Sequence, residues 1–390
     1  MRFPIAFTAM SNPVPSRPLT AAELMRQLGF RFPAPSGLEL AASARTPAPR
    51  QDAPPIPEIR PAPARRILHV TNGDAAAEGI RLSGISGTVA VTADVLHEGP
   101  APGGLPPERW RKIRARYLAE SGYDDYDSCL ARLTRWDRTL LEDHGSLDEI
   151  VLWFEHDLFD QLLLIRALDL LGGRDLGGTE LSLICIDEFP GVVPFHGLGQ
   201  LSPQQMASLL PRRRRVDAAQ KLLARDAWRA FGAPDPAGIE GVLHRDTSAL
   251  PYLTGALRRH LEEFPAVANG LSRSERQILQ AVAEKAATFE EVFRATQGME
   301  ERVYMGDVSI HRILRDLVSA PRPLLRLEPG AGGSLRALRI SLTSSGREVL
   351  EGKDDWVRIR GIDRWLGGVH LHGREAAWRW DPETGRLARP

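Results

Sequence analysis

Apolar and polar positions alternate in blocks from Arg66 onward, and the block lengths predict the elements. ILHV (67–70), TVAVTADVL (88–96), EIVLWFE (149–155) and ELSLICIDEF (180–189) are short runs rich in Val, Ile and Leu, bounded by turn residues. Such runs read as strands. Between them lie helical patterns: one opened by TNGDAAAEGIRLSG and ending near Gly84, one from about Arg109 to Asp143, and DLFDQLLLIRALDLLGG, stopped by two glycines. Apolar strands that alternate with helices predict a parallel sheet covered on both faces, a Rossmann-like α/β domain over residues 65–200.

From Ser202 to about Pro265 the period is helical, with breaks at GAPDPAG and near Pro251, so 201–268 reads as a helical linker region. Residues 269–350 then give three helices and two strands around a Gly-rich turn. Ser272 and Glu275 form a capping box at the first of these helices. Three helices followed by a hairpin is the order of a winged-helix-like domain. The last segment, 351–390, carries Trp356, Trp365, Trp378 and Trp380 and reads as β structure packed back on the body.

Residues 1–64 break the pattern. Their Pro and Ala density favours extended chain, so most of the stretch reads as a linker. One island, LTAAELMRQLGF, has a capping box at Thr20 and Glu23 and an apolar face of Leu24, Met25 and Leu28. A lone helix of that length is marginal in water, so it is expected to dock on the body or on a protein partner, or to stay mostly unfolded.

Composition narrows the function classes. Lys plus Arg and Asp plus Glu are both 50, so any nucleic-acid footprint must be local. Cys129 and Cys185 have no CxxC spacing, which argues against a disulfide framework or thiolate zinc site. No apolar run is long enough for a membrane span, and a cytoplasmic protein is the expectation. Neither GxGxxG nor a P-loop is present.

The chemistry gathers where ligands bind in parallel sheets, at the carboxyl ends of the strands. The first strand is followed by Asn72, Gly73 and Asp74; the second by Asp94, His97 and Glu98; the third by Glu155, His156, Asp157 and Gln161; the fourth by Asp187. Each has a plain reading as a turn or helix cap. Together they predict one site, with Asp94, His97, Glu98, Glu155, His156 and Asp157 as acid-base groups or metal ligands. Asn72, Gly73, Asp74, Gln161 and Asp187 would then be ligand-binding. Histidines beside carboxylates suit a divalent metal, although no fixed ligand spacing singles one out. Hydrolysis or group transfer on a small phosphorylated or nucleotide-like molecule is the most economical reaction, since no redox-cofactor signature is present.

Two other readings stay open. A ligand-sensing regulator would use the same pocket and touch DNA through Arg312 and Arg315 on the helix VSIHRILRDLV and Arg336 and Arg339 at the wing. An assembly protein would dock through the N-terminal helix and the Trp-rich tail. The run Arg212 to Arg215 is either a solvated helix start or an anion or nucleic-acid contact.

LHVTNGDAAAEGI, ADVLHEGPAP and VLWFEHDLFDQLLLIRAL, in that order, resemble the bacterial family catalogued as domain of unknown function 1835. The resemblance covers about 67–200 and extends to pieces like LTSSGREVL and GIDRWLGGVHL. It implies that the three motifs share one domain; it carries no catalytic role to any residue.

Overall fold

A computed structural model describes residues 65–141, 146–285, 287–328 and 338–389. The N-terminal island, the expected partner helix and Arg336 lie outside the described residues. The strands are β1 (Ile67–Thr71), β2 (Thr88–Val91), β3 (Gly99–Pro100), β4 (Glu149–Glu155), β5 (Glu180–Ile186), β6 (Arg214–Arg215), β7 (Leu325–Glu328), β8 (Arg339–Leu342), β9 (Ile362–Gly367), β10 (Val369–Gly373), β11 (Arg379–Asp381) and β12 (Arg386–Ala388). The helices are α1 (Asp74–Leu82), α2 (Pro107–Glu120), α3 (Tyr126–Leu141), α4 (Leu158–Gly172), α5 (Pro203–Leu209), α6 (Ala218–Phe231), α7 (Ala237–Leu243), α8 (Leu253–Leu261), α9 (Arg273–Glu284), α10 (Phe289–Gly298), α11 (Asp307–Val318), α12 (Ser344–Leu350) and α13 (Trp356–Arg360).

The main sheet runs β2-β1-β4-β5-β6, parallel except for the edge strand β6. β4 explains why both faces are covered. Ile150, Leu152 and Phe154 point into a core with Leu162 and Leu168 of α4 and Ala224 and Ala227 of α6. Val151 and Trp153 point the other way, against Ala76 and Ile80 of α1 and Met206 of α5. Side chains alternate with period two, so a strand apolar at every position needs an apolar layer on each side. The stretch expected as a helical linker supplies part of that cover, because α6 and α8 share the core with α4. A separate core holds α9, α10, α11 and the β7-β8 hairpin together with Trp356.

Three expectations change. The second strand ends at Val91 rather than residue 96, because Ala93 and Val95 pack on the α2-α3 layer instead of continuing in the sheet. The long helix expected over 109–143 is two helices, α2 and α3, broken at Ser121-Gly122, where Gly122 adopts φ +86°. The Arg212–Arg215 run neither opens a helix nor stays wholly solvated. Arg213 binds buried Glu149 at 2.6 Å, and Arg214 and Arg215 form the antiparallel edge β6.

The tail returns to the α/β body as β structure. β9 pairs with β3 in parallel, matching Gly99 with Leu366 and Pro100 with Gly367. Trp356 and Trp380 are buried. Among the described residues no helix is long and apolar enough to cross a membrane.

Candidate functional site

Chain connection marks the end of the sheet at which parallel α/β proteins bind ligands. From β1 the chain crosses to β2 on one side, while β4 on the other side of β1 leads on to β5. The order reverses between β1 and β4, and open α/β sheets bind ligands at the carboxyl ends of such a pair. Asn72 follows β1, and Glu155 ends β4.

Three carboxylates converge there. Glu155, Asp157 and Asp160 are all buried, and one oxygen from each lies within 4.8 Å of the others. Asp157 caps α4, accepting the Asp160 amide at 3.0 Å. Asp160, one turn in, accepts the Glu155 amide at 2.8 Å and Asn72 Nδ2 at 2.6 Å. Asn72 Nδ2 also donates to Glu155 Oε1 at 3.2 Å, as does the Leu198 amide at 2.6 Å. Gly197, at φ +152°, lets this loop approach, since a Cβ there would collide with the Glu155 carboxylate.

No Lys or Arg forms an ion pair with these three groups among the described residues. Burial, reinforced by the Asp157 charge, pushes Glu155 up to about 8. Burial raises Asp157 to about 7 against the pull of the Asp160 and Phe159 amides and of Arg302. Asp160 is raised as well, by burial and then by the Asp157 and Glu155 charges. Three interior carboxylates with no cation in ion-pair contact retain protons or take up a cation. Such hard oxygen donors suit Mg²⁺ or Mn²⁺.

The remaining candidates divide around this centre. Gln161 holds the Glu155 carbonyl at 2.6 Å and so fixes the strand-to-helix turn. His156 is buried between Phe195 and Tyr252, its Nδ1 without a partner, and burial together with Arg302 lowers its pKa. Asp187 is exposed and accepts the Tyr252 hydroxyl at 2.9 Å. Gly73 is extended, with open space where a Cβ would lie, and Asp74 is exposed at the start of α1.

Asp94, His97 and Glu98 do not join the acidic cluster as expected. The chain that leaves the sheet after Val91 carries them toward α2 and α11. Asp94 is a bidentate partner of fully buried Arg114 at 2.5 and 3.1 Å. Glu98 binds Arg312 at 2.7 Å and accepts the Tyr123 hydroxyl at 2.5 Å. Burial alone would raise the Glu98 carboxyl, yet Arg312, His97 and Tyr123 hold it below its usual value. His97 Nε2 is 3.5 Å from Ser309 Oγ, and its ring lies edge-on to Phe159 and Tyr304. The expected single cluster is therefore two networks.

The expected outer-face contacts change in the same way. Arg312 turns inward to Glu98, and Arg315 lies 3.8 Å from Asp316, while Arg339 is exposed on β8. Asp160 is the member that the sequence reading missed. Its signal was the helix itself: LFDQLLLIRAL is apolar on every face, so a helix buried all round must bury its Asp too.

No protein-family model matches the chain, and no curated protein is significantly similar to it.

Proposed function

We propose that the protein is a metal-assisted hydrolase or transferase acting on a small phosphorylated or nucleotide-like substrate in the crevice between β1 and β4. One observation carries this reading: three buried carboxylates with no ion-paired cation among the described residues meet where the sheet's connections reverse. Glu155, Asp157 and Asp160 would hold a divalent cation, which supplies a polarised phosphoryl oxygen or an activated water. Asn72 orients two of the carboxylates from the end of β1. Open space at Gly73, beside the first turn of α1, could admit an anionic group of the substrate. His156 and Tyr252 line the far side of the β4 end, and burial favours a neutral His156 able to accept a proton.

The DNA-binding reading, with α9 to α11 and the hairpin as a winged helix, loses its main cation because Arg312 is paired with Glu98. A relationship to the domain of unknown function 1835 family is also a proposal. It rests on the order of the three motifs, of which the first and third fall on β1-α1 and β4-α4 and the second on the chain that leaves the sheet after Val91.

The test is phosphate release from a panel of nucleotides and phosphomonoesters by metal-stripped full-length protein, with Mg²⁺ or Mn²⁺ restored. Turnover should require the metal. Glu155→Gln, which keeps an acceptor for Asn72 and Leu198, should lower it by at least the ~10–100-fold typical of damage to a metal site's support. Metal-independent turnover, or turnover indifferent to Glu155→Gln and Asp157→Asn, would sink the proposal.

A further inference from the structure

A second cavity lies away from the β1-β4 crevice. It measures about 550 Å³ and opens between α2, the α9-α11 unit and the returning tail. That volume falls in the range of small-molecule sites, about 300–1,000 Å³. Three features of its wall point to a ligand.

The first is charge. Arg109, Lys112 and Arg116 recur at three- and four-residue spacing, so α2 presents them along one face, together with Glu120 and with Glu108, which pairs with Lys112. All three cations are exposed at the rim. The other carboxylates of the wall have partners: Glu98 has Arg312, Glu263 has Arg259, Glu275 has Arg364, Asp316 lies 3.8 Å from Arg315 and Asp363 meets His370 at 2.7 Å. Lys112 is itself paired with Glu108 at 2.7 Å, which leaves Arg109 and Arg116 as the rim cations without a carboxylate partner among the described residues.

The second is an orphaned buried donor or acceptor. His97 lines the cavity at 5% exposure, and its Nδ1 has no hydrogen-bond partner. A buried ring nitrogen left unpaired is a cost that a ligand atom would recover. The third is the aromatic wall. Tyr117, Tyr304, Trp356 and Trp365 all contribute to it, and such rings favour a planar, polar-edged group.

We propose that this cavity is a second ligand site, for a nucleoside monophosphate whose phosphate meets the α2 cations and whose base reaches His97. Exposed basic groups, rings in the wall and one unsatisfied buried imidazole match the phosphate, the base plane and the base edge. The site is distinct from the acidic crevice: Glu155, Asp157 and Asp160 do not line it.

The test is tryptophan fluorescence titration of the full chain in EDTA, which leaves the metal crevice out of play. The probes are adenosine 5′-monophosphate, adenosine and inorganic phosphate. The monophosphate should bind saturably and at least ~10-fold tighter than either fragment, a difference of about 1.4 kcal/mol. Arg109→Ala/Arg116→Ala, at exposed positions, should weaken it ~10-fold without changing Tm. His97→Leu, which removes the orphaned nitrogen at similar volume, should also weaken binding while thermal stability holds or rises. No saturable binding, equal binding of adenosine alone, or binding unchanged in the double variant would overturn the site.

Discussion

Glu98 and Glu155 are both glutamates, both about 5% exposed, and both stand near the end of a predicted strand. Their environments are opposite. Glu98 sits with Arg312 and Tyr123, and is held ionised. Glu155 sits with two more carboxylates and an amide side chain, and is held protonated near neutral pH. A buried carboxylate that the protein has paired with its own cation is a structural joint. One without a cation is available to a ligand that brings positive charge.

Breaking the paired side should have the largest effect. Arg114 is fully buried and donates to both Asp94 oxygens and to the carbonyls of Val95, Glu98 and Pro100. Arg114→Ala strands the Asp94 charge and should cost about 3–5 kcal/mol in denaturant unfolding. If that variant were as stable as the parent, the contrast would lose its structural half.

The unpaired side should respond to pH with a definite sign. Glu155 and Asp157 have folded-state pKa values near 8 and 7, above their ordinary values of 4.5 and 3.8. The folded chain then binds more protons than the unfolded chain between about pH 4 and 8. Their stabilising contribution is complete below the unfolded values and is lost as pH rises through 7 to 8. Unfolding of metal-free protein should become easier across that window. Glu155→Gln should flatten the slope and leave the protein more stable than the parent at pH 9. A parent profile that rises with pH from 5 to 9 would contradict the assignment.

A smaller effect is expected at the edge of the paired network. Tyr123→Phe removes one hydrogen bond to ionised Glu98, while Arg312 remains. It should cost about 1.5–3 kcal/mol and move Glu98 upward toward its ordinary value, readable by carboxyl NMR titration.

The sequence made some of this legible and hid the rest. Strands such as EIVLWFE were readable because a buried parallel strand is apolar at successive positions, and the polar group that ends each run marks the carboxyl edge. Glu155, Asp157 and Asn72 were found that way. The separation of Asp94 and Glu98 was hidden because it depends on the chain's leaving the sheet at Val91 so that Val95 packs on helices. Local pattern registers that a residue is apolar, not which layer receives it. The pairing of Gly99 with Leu366 was out of reach too, since it joins segments far apart in sequence.

The central claim is that the three unpaired carboxylates form a divalent-cation site, and calorimetric titration of metal-stripped protein with Mn²⁺ at pH 7 tests it most directly. Run in two buffers of different ionisation enthalpy, it should show one saturable site whose occupation releases protons to the buffer, with both signals lost in Glu155→Gln. Absence of binding, or binding that releases no protons and survives Glu155→Gln, would contradict the account.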